Sequence, residues 1–366
     1  MKVSVTQVNL YRQCQMAYKL RYVDGIQSKQ AVIPIELGSL IHEYLELYYK
    51  QLQSSKTDSA NAHSMALETV TKEWQPKLTE LANTAYMIGS EETSEALLKL
   101  WNQAERIIKR YYVIHGAEDA EQHEFLYVEL PLEVSIQRGL QSVGQADLIT
   151  RDRNSGFIYL WEHKSAKSVP STPYRLRDMQ TALYAQKLDA ILDIKIQGIA
   201  WNYLKTDPPR VPEPLKNGEL SHAKIDTTWE IYLKAINDAG LDPADYEDMR
   251  EKLELREPNE YFPRYTYLLQ GDTSILLRDY ITTAKEITQI RRDWAKGRKE
   301  PVRSVGWQCD RCFAGKLCTA AITLGGIDSV LSMHYTTREQ RKAVVAAQEV
   351  VLKLPIAVED EYEELV

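Results

Sequence analysis

The chain has 366 residues and carries 45 lysines and arginines against 52 aspartates and glutamates, a net charge of -7. With 44% hydrophobic and 27% charged residues it is not a disordered chain, and without a run of about 18 apolar residues it has no membrane span. The acidic balance excludes a generally basic coat for nucleic acid, so any phosphate-binding surface has to be local. The opening segment MKVSVTQVNLYRQCQMAYKLRYV lacks the apolar core and cleavage site of a secretory leader, so a cytoplasmic location is expected.

Leu37, Leu40, Ile41, Tyr44, Leu45 and Tyr48 recur at helical spacing just after Pro34, which predicts an amphipathic helix over 35–53. Helical periodicity continues over 61–115 with polar interruptions that read as connections, so 1–120 is expected to be a mainly helical region. The pattern then changes to a period of two. FLYVELPLEV at 125–134 places Leu126, Val128, Leu130, Leu132 and Val134 on one face. SVGQADLIT at 142–150 and GFIYLWEHKS at 156–165 flank the polar turn RDRNS, which predicts an antiparallel hairpin continuing from that first strand. A helix at 178–192 and the apolar segment KIQGIAWNYLK complete a strand-rich core with a crossover helix over 121–205. Pro208, Pro209, Pro212 and Pro214 then interrupt regular structure, and helical patterns return through a lobe at 206–300 before a cysteine segment and acidic tail at 301–366.

Residues two apart on a strand point the same way, so Glu162 and Lys164 share one face while Trp161 and His163 share the other. Across the hairpin, Asp147 falls beside Glu162, which gathers two carboxylates and an ammonium. Hard oxygen ligands of this kind suit Mg2+ or Mn2+ on a phosphate substrate, with Lys164 orienting the attacking water or stabilising charge on phosphorus. An exposed, ion-paired hairpin explains the same three residues. Gly38 and His42 lie one helical turn apart, where glycine permits close approach and histidine is either a metal ligand or a hydrogen-bonded structural residue. Gln180 and Tyr184 again share a helical face, able to hydrogen-bond the lysine, a water or a phosphate.

Taken in order, Gly38-x3-His42, Gly144-x2-Asp147, Glu162-x-Lys164 and Gln180-x3-Tyr184 resemble the RecB-like branch of the PD-(D/E)XK nuclease superfamily over residues 38–204. The resemblance implies an α/β, restriction-endonuclease-like mixed sheet flanked by helices, and hydrolysis of DNA phosphodiesters. By the same likeness His42, Asp147 and Glu162 bind the metal with the backbone carbonyl of His163, Lys164 serves the nucleophilic water, and Gln180 and Tyr184 position lysine or DNA. Glu129, on the preceding strand, is an additional acidic candidate. Glu162 stands where an aspartate is usual, at a position the superfamily varies.

Cys309-x2-Cys312-x5-Cys318 is a compact ligand triplet, and Cys14 is the remaining cysteine. Four thiolates suit either Zn2+ or an iron-sulfur cluster, and spacing alone leans to zinc. A lone N-terminal cysteine with three after the nuclease core is similar to the iron-sulfur nucleases of this branch, the AddB-type recombination nuclease domain and the CRISPR-adaptation exonucleases among them. That likeness implies a 4Fe-4S cluster stapling the first helix to the last segment. The expected substrate is single-stranded DNA or DNA ends, in recombination, repair, phage replication or CRISPR adaptation. Since the chain has no GxxxxGK[ST] phosphate loop, a helicase would have to be a partner. Two other readings stay open: a catalytically weak DNA-binding subunit of a helicase-nuclease complex, and a zinc-stabilised interaction module. Arg291, Arg292, Lys296, Arg298, Lys299 and Arg303, around Trp294, permit a local phosphate groove, and the closing EDEYEELV reads as a solubilising tail.

Overall fold

The computed structural model describes residues 1–54, 57–192, 194–223, 225–254, 262–269, 271–323 and 326–340, so the acidic tail lies outside the described residues. The strands are β1 (Lys2–Val3), β2 (Ile26–Ser28), β3 (His123–Gln137), β4 (Leu140–Asp152), β5 (Ile158–Ala166), β6 (Gly198–Lys205), β7 (Arg264–Leu268) and β8 (Tyr335–Thr337). Contacts divide the chain into two compact units, one of residues 1–8 and 31–286 and one of 9–30 and 287–366. Among the described residues no helix is long and apolar enough to cross a membrane.

The first unit holds a mixed sheet and a three-helix layer. Helix Ile33–Gln53 starts with Pro34 in its first turn, where a missing N–H costs nothing, and has Glu36 near its N-terminus and Lys50 near its C-terminus. Its buried stripe of Leu37, Leu40, Ile41, Tyr44, Leu45, Tyr48, Tyr49 and Leu52 packs against helices Ser59–Met87 and Glu91–Gln122. In Ser59–Met87 the buried residues Ala62, Ala66, Val70, Trp74, Leu78 and Ala82 come every fourth position, and the alanines let the neighbouring helices approach closely. Asp58 caps that helix by accepting from the Asn61 N–H at 2.8 Å, and Gly89, at φ +74°, turns the chain after it. The same core takes in Leu148, Trp161, Ala200 and Leu204, so the three helices cover one face of the sheet.

From β3 onward the strand order follows the chain, while β1 pairs in parallel with β4. β3 and β4 form a long antiparallel hairpin, β4 and β5 a second one, β5 and β6 run parallel across the crossover helix Met179–Leu192, and β7 adds antiparallel to β6. The β4–β5 turn is held by Asp152, whose Oδ1 accepts the Asn154 and Ser155 N–H groups and the Ser155 hydroxyl. β6 is buried through Leu204, the pattern of a strand covered on both faces. This is the mixed sheet with flanking helices expected of a restriction-endonuclease-like α/β fold. Within 206–300, where helical patterns predominate, RYTYL is strand β7. Its five residues alternate on a β-prone composition but are too short to stand out against the helical segments around them. A small separate cluster of Leu220, Tyr232, Ile236, Tyr246, Met249 and Leu253 stabilises the helices between β6 and β7.

In the second unit, β2 and β8 pair antiparallel with Ser28 opposite Tyr335. Ile26, Leu317 and Tyr335 form its buried centre, flanked by Leu20, Phe313 and Leu331.

Candidate active site and cysteine cluster

β4 is paired with β3 along one edge, while its other edge meets β1 at Gln141 and Ser142 and β5 from Leu148 onward. Between these ladders the edge opens, and Asp147 stands one residue inside the opening. There the His163 N–H donates to Asp147 Oδ2 at 2.8 Å. The carboxylate thus takes a bond that a backbone carbonyl would accept in a continued ladder. Glu162 and Asp147 share this face because, in antiparallel strands, Asp147 just precedes and Glu162 just follows the Leu148–Trp161 pair that faces the helical layer.

Helix Ile33–Gln53 brings His42 to the opening, with Nδ1 3.9 Å from Glu129 Oε1 and 4.0 Å from Asp147 Oδ2. Among the described residues, the one set of three or more metal-ligand side chains with donor atoms within 4.8 Å of one another is His42, Glu129 and Asp147. Glu129 sits at φ +50°, the one non-glycine residue with positive φ among those described. A glutamate in that region costs on the order of 1–3 kcal/mol, and the strained residue holds its carboxylate 3.9 Å from His42 Nδ1. Burial raises the carboxyls of Glu129 and Asp147, and burial with the nearby Asp147 charge pushes Glu162 up to about 7 despite Lys164. Burial disfavours a charged His42, yet Glu129, Asp147 and Glu162 together hold its imidazolium above the ordinary range. The half-buried Glu129 and the buried Asp147 and Glu162 outnumber the Lys164 ammonium by two once His42 gives up its proton to act as a ligand, an excess that a divalent cation balances, and imidazole with carboxylate oxygens is a donor set such a cation accepts. The residues therefore fit a divalent metal.

Glu162 faces its other neighbours. Lys164 donates to its Oε1, and the Gln180 side-chain amide donates to Oε1 at 2.9 Å and Oε2 at 3.1 Å. Burial works against the Lys164 charge, but the Glu162 carboxylate more than compensates and keeps the ammonium protonated. Gln180 is itself set by the helix start, where Asp178 Oδ1 accepts its N–H at 2.8 Å. One turn on, the Tyr184 ring lies directly over Gly144, where any Cβ would collide with it, and its hydroxyl takes a bond from the Gln145 N–H. Gly38 is a milder case: a Cβ there would stand 3.0 Å from the rotatable Ser165 hydroxyl on β5, a tight contact and not an overlap. The two glycines of the sequence pattern are thus points of close approach. The His163 side chain leaves the site and enters the helical layer, while its peptide stays at the opening.

In the second unit, Cys14 caps helix Gln15–Tyr18, Cys309 lies in the short helix Trp307–Arg311, Cys312 follows it, and Cys318 lies in helix Gly315–Thr323. All four are free thiols. Burial pushes the Cys312 thiol up, and Cys14, Cys309 and Cys318 add to that rise, so the two ends of the sequence bring all four together. No three of the sulfurs lie within 4.8 Å of one another. Of the basic stretch, Arg291 hydrogen-bonds Tyr18 at 3.5 Å and Trp294 packs on the same ring at 6.3 Å, while Lys296, Arg298, Lys299 and Arg303 are exposed.

Two buried polar groups escaped the sequence reading. Asp119 and Arg264 form a largely buried ion pair 145 residues apart, and Lys187 donates to the fully buried Ser142 with no carboxylate near it among the described residues. Each depends on distant segments meeting, and nothing local in the sequence marks either.

A strained Glu129 on β3, a splayed β4–β5 hairpin with an acidic residue on each side, and a lysine two residues on are the features a metal-supported hydrolase site would use on a restriction-endonuclease-like sheet. The chain belongs to the PD-(D/E)XK nuclease superfamily, whose family model matches residues 2–319. Comparison with curated proteins returns no match. The nucleases of this superfamily use divalent metals, and His42, Glu129 and Asp147 form a group that could hold one.

Proposed function

We propose that the protein is a metal-dependent DNA nuclease of the RecB-like branch, acting as an exonuclease or end-processing enzyme on single-stranded DNA or DNA ends. The observation that carries this reading is the meeting of His42, Glu129 and Asp147 at the mouth of a splayed hairpin that also holds Glu162 and Lys164. His42, Glu129 and Asp147 would hold Mg2+ or Mn2+, with Glu162 and the His163 carbonyl beside them. The ion, when bound, supplies charge neutralisation on the phosphate and activates water. Lys164 enters the reaction protonated, so it donates to the water or the phosphate and does not act as a resting base. Gln180 fixes the Glu162 carboxylate in a two-point grip, and Tyr184 closes the side of the site over Gly144.

The four cysteines are read as ligands of a 4Fe-4S cluster with a structural role. Four free thiols on the residues flanking the nuclease core suit either group, the likeness to the iron-sulfur nucleases of this branch supports the cluster, and the alternative, Zn2+, gives a colourless protein. A cytoplasmic setting suits reduced thiols, and a helicase or recombination partner would supply the strand separation for which this chain has no phosphate loop. The test is incubation with single- and double-stranded DNA, labelled at the 5' or the 3' end, with Mn2+ or Mg2+. Release of mononucleotides or short products from one end supports the exonuclease reading. Products cut only internally contradict it.

A further inference from the structure

The peptide of His163 carries two tasks at the opening, if the metal-dependent reading above holds. Its N–H fixes Asp147, and its carbonyl stands among the expected metal ligands. What aims this peptide lies on the opposite face of the sheet. The His163 ring stacks on Tyr49 at 5.6 Å and 10°, and its Nδ1 is 2.9 Å from the Asn202 side-chain nitrogen. The amide orientation is dictated from its other end. Arg264 Nε reaches Asn202 Oδ1 at 3.3 Å, and a guanidinium only donates, so the oxygen faces Arg264 and the NH2 faces His163. Nδ1 therefore accepts and the ring proton resides on Nε2.

The hydrogen bonds beyond Asn202 run in a single direction. Its NH2 donates to Tyr111 at 2.8 Å, Arg264 Nη2 donates to the same hydroxyl at 2.6 Å, the Tyr111 hydroxyl donates to Tyr49 at 2.8 Å, and Tyr49 donates to Asp119 at 2.9 Å. Arg264, a pure donor, and Asp119, a pure acceptor, close the circuit as a two-bond pair. Asn202, Tyr111, Tyr49, Asp119 and His163 are all at most 2% exposed. A buried ion pair of this kind adds little net stability over an apolar set of the same shape, and its best-attested use is to fix one arrangement. The ring proton bears on the same point: His163 Nε2 is buried with no partner among the described residues, a cost of about 1–3 kcal/mol that a residue placed for stability would avoid.

We propose that Asn202, held by the Arg264–Asp119 pair, is a positioning residue that aims the His163 peptide and thereby sets the metal affinity of the site. Its effect passes through the His163 ring and not through contact with the metal or DNA. Partners of this rank change metal affinity or activity by about 10–100-fold when removed.

The experiment is Mn2+ binding to the full-length protein, followed by calorimetry or electron paramagnetic resonance, with His42→Ala to identify the signal from this site. Asn202→Leu is expected to weaken binding at least tenfold and to lower kcat at limiting Mn2+, with KM for DNA unchanged and kcat recovering at saturating Mn2+. In a His163→Phe background the same substitution is expected to change affinity less than threefold. Lys187→Met, a change to a buried polar group elsewhere in the same unit, is expected to leave Mn2+ affinity unaltered. Asp119→Asn, which keeps shape while loosening Arg264, gives the same readout if Asn202→Leu does not fold. Mn2+ affinity within twofold of wild type in the folded variant overturns the proposal while leaving the nuclease reading intact. Wild-type protein that binds no Mn2+ in a His42-dependent way overturns both.

Discussion

Tyr184 occupies the volume that a side chain at position 144 would need, so the glycine and the tyrosine, forty residues apart in sequence, are two halves of one contact. Gly144→Ala should displace the ring and with it the helix that carries Gln180, costing about 1–3 kcal/mol by overpacking and lowering cleavage at least tenfold. Adding Tyr184→Ala should return most of the stability but not the activity. Thermal melts and initial rates on the single and double variants check this pair.

Glu129 makes the opposite trade. Its φ of +50° stores strain that glycine would not feel. Glu129→Gly should therefore hold or raise stability, by up to about 1 kcal/mol, while weakening Mn2+ binding. Glu129→Gln should weaken Mn2+ binding with no relief of strain. Melting temperature and metal affinity measured together on both variants separate the backbone contribution from the charge.

Lys187 offers a pH test away from the site. Burial lowers its pKa to about 8 from an ordinary value of 10.5. Below pH 8 the lysine is charged in both the folded and unfolded states, and the folded state carries the desolvation penalty. Between 8 and 10.5 the folded chain has released its proton and the unfolded chain retains it, so stability rises with pH, and above 10.5 the penalty is gone. Lys187→Met should stabilise by about 1–3 kcal/mol at pH 7, and the gain should shrink towards zero near pH 10.5. Ser142 keeps Tyr280 as a partner at 2.7 Å, so the substitution strands no hydroxyl. Denaturant melts across this range give the slope directly.

The cysteines yield a prediction about composition. Cys14→Ser or Cys312→Ser should remove most of the iron and acid-labile sulfide from anaerobically purified protein and lower its melting temperature. Wild-type protein that contains zinc and no iron would replace the cluster with a zinc site while leaving the four-thiol assembly in place.

Much of the sheet was readable in the sequence because its signals are local. The alternation in 142–150 and 156–165 around RDRNS gave the β4–β5 hairpin, and the Leu and Tyr stripe after Pro34 gave helix Ile33–Gln53 nearly to its ends. The placing of Asp147 beside Glu162 was read from the hairpin, whose Leu148–Trp161 pair lies one step away. What sequence could not deliver are properties of distant segments meeting. The positive φ of Glu129 belongs to the place where β3 meets His42 of a distant helix, and β7 is a strand because β6 offers it an edge. The Asp119–Arg264 pair exists because that edge brings Arg264 beneath helix Glu91–Gln122. Glycines 38 and 144 were visible as a pattern, but their reasons, Ser165 and Tyr184, became clear only in three dimensions.

The central claim is that Lys164, paired with Glu162 beside the His42, Glu129 and Asp147 group, serves phosphodiester hydrolysis. Its most direct test is cleavage of end-labelled single-stranded DNA in Mn2+ by wild-type protein and by Lys164→Ala at equal concentration. The account predicts metal-dependent cleavage by the wild type and a loss of about a hundredfold or more in the variant, with Mn2+ still bound. Equal cleavage by the two proteins, or no cleavage by wild-type protein with its metal bound, would contradict it.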